Sequence, residues 1–188
     1  DKEPDVAEFG TFVHESLKLY ADRYPSADIL ECGREVFARR IPIPALYKLW
    51  WPRFEALSEW FISQDAMRRA EGRTIVTERE GSWPIFINGE TFTIVTRIDR
   101  LEITQEGKAA IIDYKTGSVP TISDAKNGLS PQLPVEGLII SEGVCTPPLP
   151  AGLTVDALEY WRMAGNQCEI KALEDKSTSV ADLMKIYR

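Results

Sequence analysis

The stretch RIDRLEITQEGKAAIIDYKTG, residues 97–117, decides the reading of this chain. Two runs rich in Ile and Leu flank Gln105-Glu106-Gly107, and a three-residue loop with glycine in the left-handed position is a favoured connection between antiparallel strands. That loop pairs Thr104 with Lys108, and stepping back along the ladder sets Asp99 directly opposite Asp113. A slip of one residue would send the two carboxylates to opposite faces, so their meeting depends on this turn. In this register Asp99, Asp113 and Lys115 share one face. Leu101 and Ile103 lie beside Asp99 and Ile111 beside Asp113, so the face is half-buried, where a merely solvated strand would be polar along its length.

Two like charges directly across a sheet are destabilising. A divalent cation between them is the simplest resolution. Two carboxylates with the remaining positions left to water and phosphate are the setting Mg²⁺ prefers. Lys115 is then placed to orient an attacking water or to offset charge developing on a phosphate.

Outward from this hairpin the pattern is mixed. Phe9, Phe12, Val13, Leu17, Tyr20 and Tyr24 recur at helical spacing over 9–24. After the connector Pro42-Ile43-Pro44, a longer helix is predicted with Pro52 in its first turn and Gly72 as its stop. Strands are predicted over 74–80, 83–87, 91–103 and 109–115, with Gly81, Asn88-Gly89 and Gly107 as turns, Asn88-Gly89 being the strongest hairpin signal. A loop spans 116–129. Ser130-Pro131 then reads as the cap and first position of a helix to about Ile140, in which Pro134 is tolerable because it still lies in the first turn. Residues 145–152 read as loop, 158–163 as a strand and 179–188 as the start of a helix. The order predicts an α/β fold, a mixed central sheet with helices on its faces, in a single domain.

Composition bounds the function. The chain has 188 residues, 44% of them hydrophobic, with five Trp and seven Phe, enough for a real core and against disorder. No apolar run approaches the roughly 20 residues of a membrane-spanning helix, so no membrane partner is expected. Twenty-two basic against 29 acidic side chains give a formal charge of -7, a poor start for gripping phosphates. A nucleic-acid surface must therefore be local, and Arg34, Arg39, Arg40, Lys48 and Arg53 form the best candidate for backbone contacts, with a solvated face as the competing reading. Trp50, Trp51, Trp60 and Trp83 are better placed in cores than on bases. Glu78 and Glu80 read as charged strand ends. Three cysteines, Cys32, Cys145 and Cys168, with no CxxC pair, point to a reducing, cytoplasmic compartment. The first residues carry no initiator Met and no signal-like region, so the piece reads as cut from a longer chain.

Taken together, "RIDR" with Asp99 and "IIDYKTG" with Asp113 and Lys115 resemble the PD-(D/E)XK nuclease signature in its RecB-like form. "GTFVHESL" with His14, "PQLPVEGLI" with Gln132 and the "LEYWRM" strand agree with it, over about residues 9–165. The flavour is most similar to the nuclease domains of AddB-type subunits, which partner AddA-like helicase subunits in double-strand-break repair. The resemblance implies a restriction-endonuclease-like core and a metal-dependent DNA nuclease acting on single-stranded DNA. It implies His14, Asp99, Asp113 and the Tyr114 carbonyl as ligands of Mg²⁺ or Mn²⁺, Lys115 as the catalytic lysine, and Gln132 shaping the site. The lone His14 acquires its role only from this motif, and imidazole suits Mn²⁺ better than Mg²⁺. Two departures stand out. The family often has Gln and Tyr four residues apart, whereas Gln132 is followed by Glu136. Cys32, Cys145 and Cys168 do not reproduce the spacing of the iron-sulfur ligands of many relatives, so no cluster is expected. The rival expectation is a catalytically silent DNA-binding or scaffolding module of a helicase complex, and a weaker one is a stand-alone RecB-like nuclease.

Overall fold

A computed structural model describes residues 6–40, 44–165 and 167–188. Along them run α1 (Val6–Arg23), α2 (Ile29–Arg40), α3 (Pro44–Ala70), β1 (Thr74–Ile87), β2 (Glu90–Ile103), β3 (Lys108–Lys115), α4 (Ile122–Lys126), α5 (Gln132–Glu142), β4 (Val144–Thr146), β5 (Thr154–Ala164), β6 (Gln167–Ala172) and α6 (Val180–Ile186). The strands form one mixed sheet in the order β4-β1-β2-β3-β5-β6. The expected α/β class and helix-flanked mixed sheet are therefore present.

The decisive hairpin has the expected register. Ile103 pairs with Ala109, Leu101 with Ile111 and Arg100 with Ile112. Thr104 N–H donates to the Lys108 carbonyl at 2.9 Å, and Gly107 takes φ 78° in the turn. The pairing holds as far as Arg100 and Ile112, the residues that follow Asp99 and precede Asp113. At the other end of β2, Asn88 and Gly89 adopt φ 52° and 87°, the doubly left-handed two-residue turn that matches the twist of a hairpin.

Several sequence expectations need correction. Gly81 is not a turn: β1 runs through it unbroken, because a Cβ there would stand 2.5 Å from Ile139 Cγ2 of α5. Pro52 is not in a first turn but inside α3, whose first residue is Pro44. The rest of the predicted connector, 42–43, lies outside the described residues. Residues 29–40, read only as a basic stretch, form α2, with the Asp28 carboxylate accepting from the N–H groups of Leu30 and Glu31 as a cap. The predicted loops 116–129 and 145–152 contain α4, closed by a Thr121–Asp124 capping box, and most of β4. β6 was not foreseen.

The described residues group into two compact units. The first holds the residues through Glu71 with Tyr114–Ser118 and Trp161–Ile170. Its core is aromatic. Phe12 of α1 packs edge-on to Phe37 of α2 at 5.4 Å and against Phe54 of α3 at 4.9 Å, while Phe61, Tyr114 and Trp161 meet one another at 6.0–6.1 Å. The helices come that close at Gly33, where a Cβ would sit 2.2 Å from the Phe54 ring.

The second unit holds Gly72–Asp113, Val119–Tyr160 and Lys171–Arg188. Its core joins Leu101, Ile103, Ala109 and Ile111 of the hairpin to Leu133 of α5, Leu158 and Tyr160 of β5 and Leu183 of α6. Ile98 belongs to the same core although strict alternation from Leu101 would turn it away. The irregularity has a visible partner. Thr77 pairs with Arg100 and Arg79 with Ile98, and Glu78 between them has φ 50°, a conformation uncommon for a side chain with a Cβ. Beyond Ser82, β4 no longer pairs with β1. The hairpin continues to a tip where Phe86 is 74% and Phe92 53% exposed.

Among the described residues no helix is long and apolar enough to cross a membrane. Gly33→Ala is expected to destabilise the chain by about 1–3 kcal/mol, the usual cost of overpacking a closed core, read as a lower urea midpoint with an unchanged slope.

Candidate active site

In the second unit, Asp113 on β3 is only 3% exposed. Its Oδ1 accepts a hydrogen bond of 2.5 Å from Nε2 of Gln132, the first residue of α5. One helical turn on, Glu136 falls on the same side of α5 as Gln132. It is 2% exposed, and its Oε1 accepts from Thr96 Oγ1 of β2 at 3.0 Å and from Gln132 Nε2 at 3.4 Å. One amide thus donates to two carboxylates, and the second carboxylate is tied to the strand that carries Asp99, itself half-buried. A hydrogen bond to a charged acceptor contributes about 1.5–3 kcal/mol net, more than a neutral one.

The electrostatics follow from this crowding. Burial pushes the Glu136 carboxyl up to about 7; the Thr96 hydroxyl opposes the rise, and the charges of Asp113 and Asp99 add to it. Tyr160 of β5, whose hydroxyl lies 3.2 Å from Ser130 Oγ, is pushed up to about 12 by burial, with Asp113 and Glu136 contributing. Asp113, Asp99 and Glu136 therefore act on one another through a poorly solvated interior, where the charged form of the last of them is disfavoured.

In the first unit, His14 of α1 is half-buried, with Nε2 2.9 Å from the Tyr114 carbonyl oxygen. A carbonyl only accepts, so that nitrogen carries the hydrogen in this arrangement. The imidazole also meets the Tyr114 ring edge-on at 5.7 Å. Lys115 follows Tyr114 on β3 and is half-buried. Arg39 and Arg40 both reach Glu15, the neighbour of His14, and the Arg40 hydrogen bond holds the Glu15 carboxyl below its ordinary range. The Arg34 guanidinium lies over the Trp51 ring, 5.3 Å from its centre. Of the arginines expected to contact DNA, Arg39 and Arg40 are thus ion-paired within the unit and Arg34 is stacked.

A model of the PD-(D/E)XK nuclease superfamily matches residues 1–185. The chain belongs to that superfamily. Uncharacterised proteins of Rickettsia bellii, Rickettsia typhi and Rickettsia felis are 33%, 31% and 32% identical over 148, 152 and 152 residues, 75% of this chain in each case. The chain spans 18% of the length of these curated relatives. The crystal structure of SSO0001 matches with a TM-score of 0.41 at 14% identity, over 94% of this chain and 71% of that one.

Nucleases of this superfamily generally use divalent metals such as Mg²⁺. Among the described residues no three His, Cys, Asp or Glu side chains are gathered closely enough to hold an ion by themselves. The donor chemistry nevertheless fits a hard cation that keeps several waters and needs only one or two carboxylates. Asp113 is a buried oxygen donor and Asp99 a half-buried one.

Glu136, Thr96 and Tyr160 were not singled out as site residues from the sequence. Glu136 was noted only as a departure from the Gln–Tyr pattern. The signal that identifies it is an acid in the middle of QLPVEGLIISE, flanked by Leu133, Gly137 and Leu138, on the side of the helix that must be buried.

A pH dependence follows with a definite sign. Because the folded-state value of Glu136, about 7, exceeds its ordinary 4.5, the stability it confers is full below about pH 4.5 and is lost as pH rises through about 7. In chelator, the difference in unfolding free energy between the parent and Glu136→Gln is expected to change across that window, by on the order of 3 kcal/mol at most, measured by urea titrations at stepped pH.

Proposed function

We propose that the chain is a divalent-metal-dependent deoxyribonuclease domain that hydrolyses phosphodiester bonds of single-stranded DNA. In this reading it is RecB-like and AddB-type, receives its strand from an AddA-like helicase subunit in the cytoplasm, and acts in double-strand-break repair and recombination. The observation that carries the reading is the buried Asp113 carboxylate, held by Gln132 at 2.5 Å and two residues before Lys115. A domain that only bound DNA would gain nothing from holding two acids together at such cost.

Asp99 and Asp113 hold Mg²⁺ or Mn²⁺, and the motifs on α1 and β3 add His14 and the Tyr114 carbonyl as candidate donors. The bound cation would polarise the phosphoryl group and acidify a water. Lys115 orients the attacking water and offsets charge developing on the phosphate. Gln132 keeps Asp113 in one rotamer, so that the ligand does not have to be ordered at each turnover. His14 must release the Tyr114 carbonyl before Nε2 can offer a lone pair, and that exchange makes its engagement depend on the cation. Arg34, Arg39 and Arg40 supply backbone contacts, and phosphate competes with Glu15 for the latter two.

The test is cleavage of end-labelled single-stranded DNA with Mg²⁺ or Mn²⁺, beside Asp113→Ala and Lys115→Ala. The parent is expected to cleave and both variants to lose at least about 100-fold, the scale on which catalytic electrostatic groups act. A parent that neither cleaves nor binds metal at Asp113 would establish a silent scaffolding module instead.

A further inference from the structure

Glu136, 2% exposed, shares the Gln132 amide with Asp113, and the steps described for the reaction do not use it. Its carboxylate makes two contacts, one from Thr96 Oγ1 at 3.0 Å and one from Gln132 Nε2 at 3.4 Å. The same Nε2 donates to Asp113 at 2.5 Å. A glutamine amide has two nearly isosteric orientations, separated by a flip that exchanges its oxygen and nitrogen. With the oxygen forward, it would face the Asp113 carboxylate acceptor to acceptor. The Asp113 contact opposes that flip through one acceptor oxygen on Nε2. A second acceptor on the same nitrogen disfavours the alternative, because the flipped amide would set its oxygen against Asp113 Oδ1 and Glu136 Oε1, the latter already accepting from Thr96.

The Glu136 rotamer is itself fixed, since the Thr96 hydroxyl has one proton to give and gives it to Oε1. The chain of contacts runs Thr96, Glu136, Gln132, Asp113, from β2 through the first turn of α5 to β3, and every link lies in the second unit.

We infer that Glu136 is a positioning residue, locking the Gln132 amide into the one orientation that holds Asp113 ready to take a cation. The inference rests on the nuclease reading only for what Asp113 binds. The contact chain itself belongs to the metal-free protein. What Glu136 must supply is an acceptor at Oε1, so glutamine at this position serves and a hydrocarbon does not. A residue that ligated metal or transferred a proton would fail in both replacements.

Two measurements on the 188-residue chain decide it, with thermal unfolding of each variant run alongside to confirm folding. The first reads the side-chain amide of Gln132 by ¹⁵N–¹H NMR without metal, assigned by its disappearance in Gln132→Leu. Its protons are expected to exchange slowly in the parent and in Glu136→Gln, and to lose that protection in Glu136→Leu and Thr96→Val. Unchanged Gln132 protection in Glu136→Leu overturns the inference.

The second reads Mn²⁺ affinity by calorimetry. Glu136→Leu is expected to weaken it about tenfold, the low end of what an outer-shell partner of a metal ligand is worth, with Glu136→Gln close to the parent. The double variant Gln132→Leu/Glu136→Leu is expected to be no weaker than Gln132→Leu alone, because one residue acts through the other. Equal losses in Glu136→Gln and Glu136→Leu, or additive losses in the double variant, overturn it. A parent that binds no Mn²⁺ sinks the nuclease reading, and the NMR arm still decides whether Glu136 holds Gln132.

Discussion

The register of β2 against β3 is the constraint on which the candidate site depends. It is set over three residues, Gln105 to Gly107, by a glycine that takes a backbone conformation other residues resist. One residue more or fewer in that turn would pair every core side chain of the hairpin with the wrong neighbour. Leu101 and Ile111 would leave the core together with the acids that ride beside them. The same hydrophobic packing that stabilises the second unit therefore also decides where the carboxylates stand, and folding and site assembly are one event here.

Holding those acids has a cost that the surroundings visibly manage. Asp113 is removed from water and accepts a hydrogen bond from the uncharged Gln132 amide. Glu136 responds differently: burial among like charges raises its carboxyl until it tends to hold a proton near neutrality. The region thus keeps its chargeable groups while limiting how many are charged together.

The sequence carried the β2–β3 hairpin and its register because glycine and alternating side chains have few other readings. Asn88-Gly89 was legible for the same reason. Gly81 was not: glycine is required both in turns and under close-packed helices, and only the approach of Ile139 separates the two cases. α2 has its buried residues at helical spacing, Ile29, Cys32, Gly33, Val36 and Phe37, but Gly33 argues against a helix and the arginines drew attention to charge instead. Pro52 was misplaced because proline favours a first turn, whereas α3 begins eight residues earlier at Pro44. Glu136 could be noted as unusual but not placed, since nothing local reports that Thr96, forty residues back, would donate to it.

The far end of the β1–β2 hairpin has a consequence of its own. β4 covers β1 only at Glu80, Gly81 and Ser82, so the outward edge from Trp83 to Ile87 lies past that partner, close to the exposed ring of Phe86. An apolar edge of this kind invites another chain to add a strand. Pro84 stands in the middle of it and has no N–H to offer, so an incoming backbone would meet a gap in the ladder where it most needs a bond. The hairpin can carry a greasy tip without becoming a template for fibres.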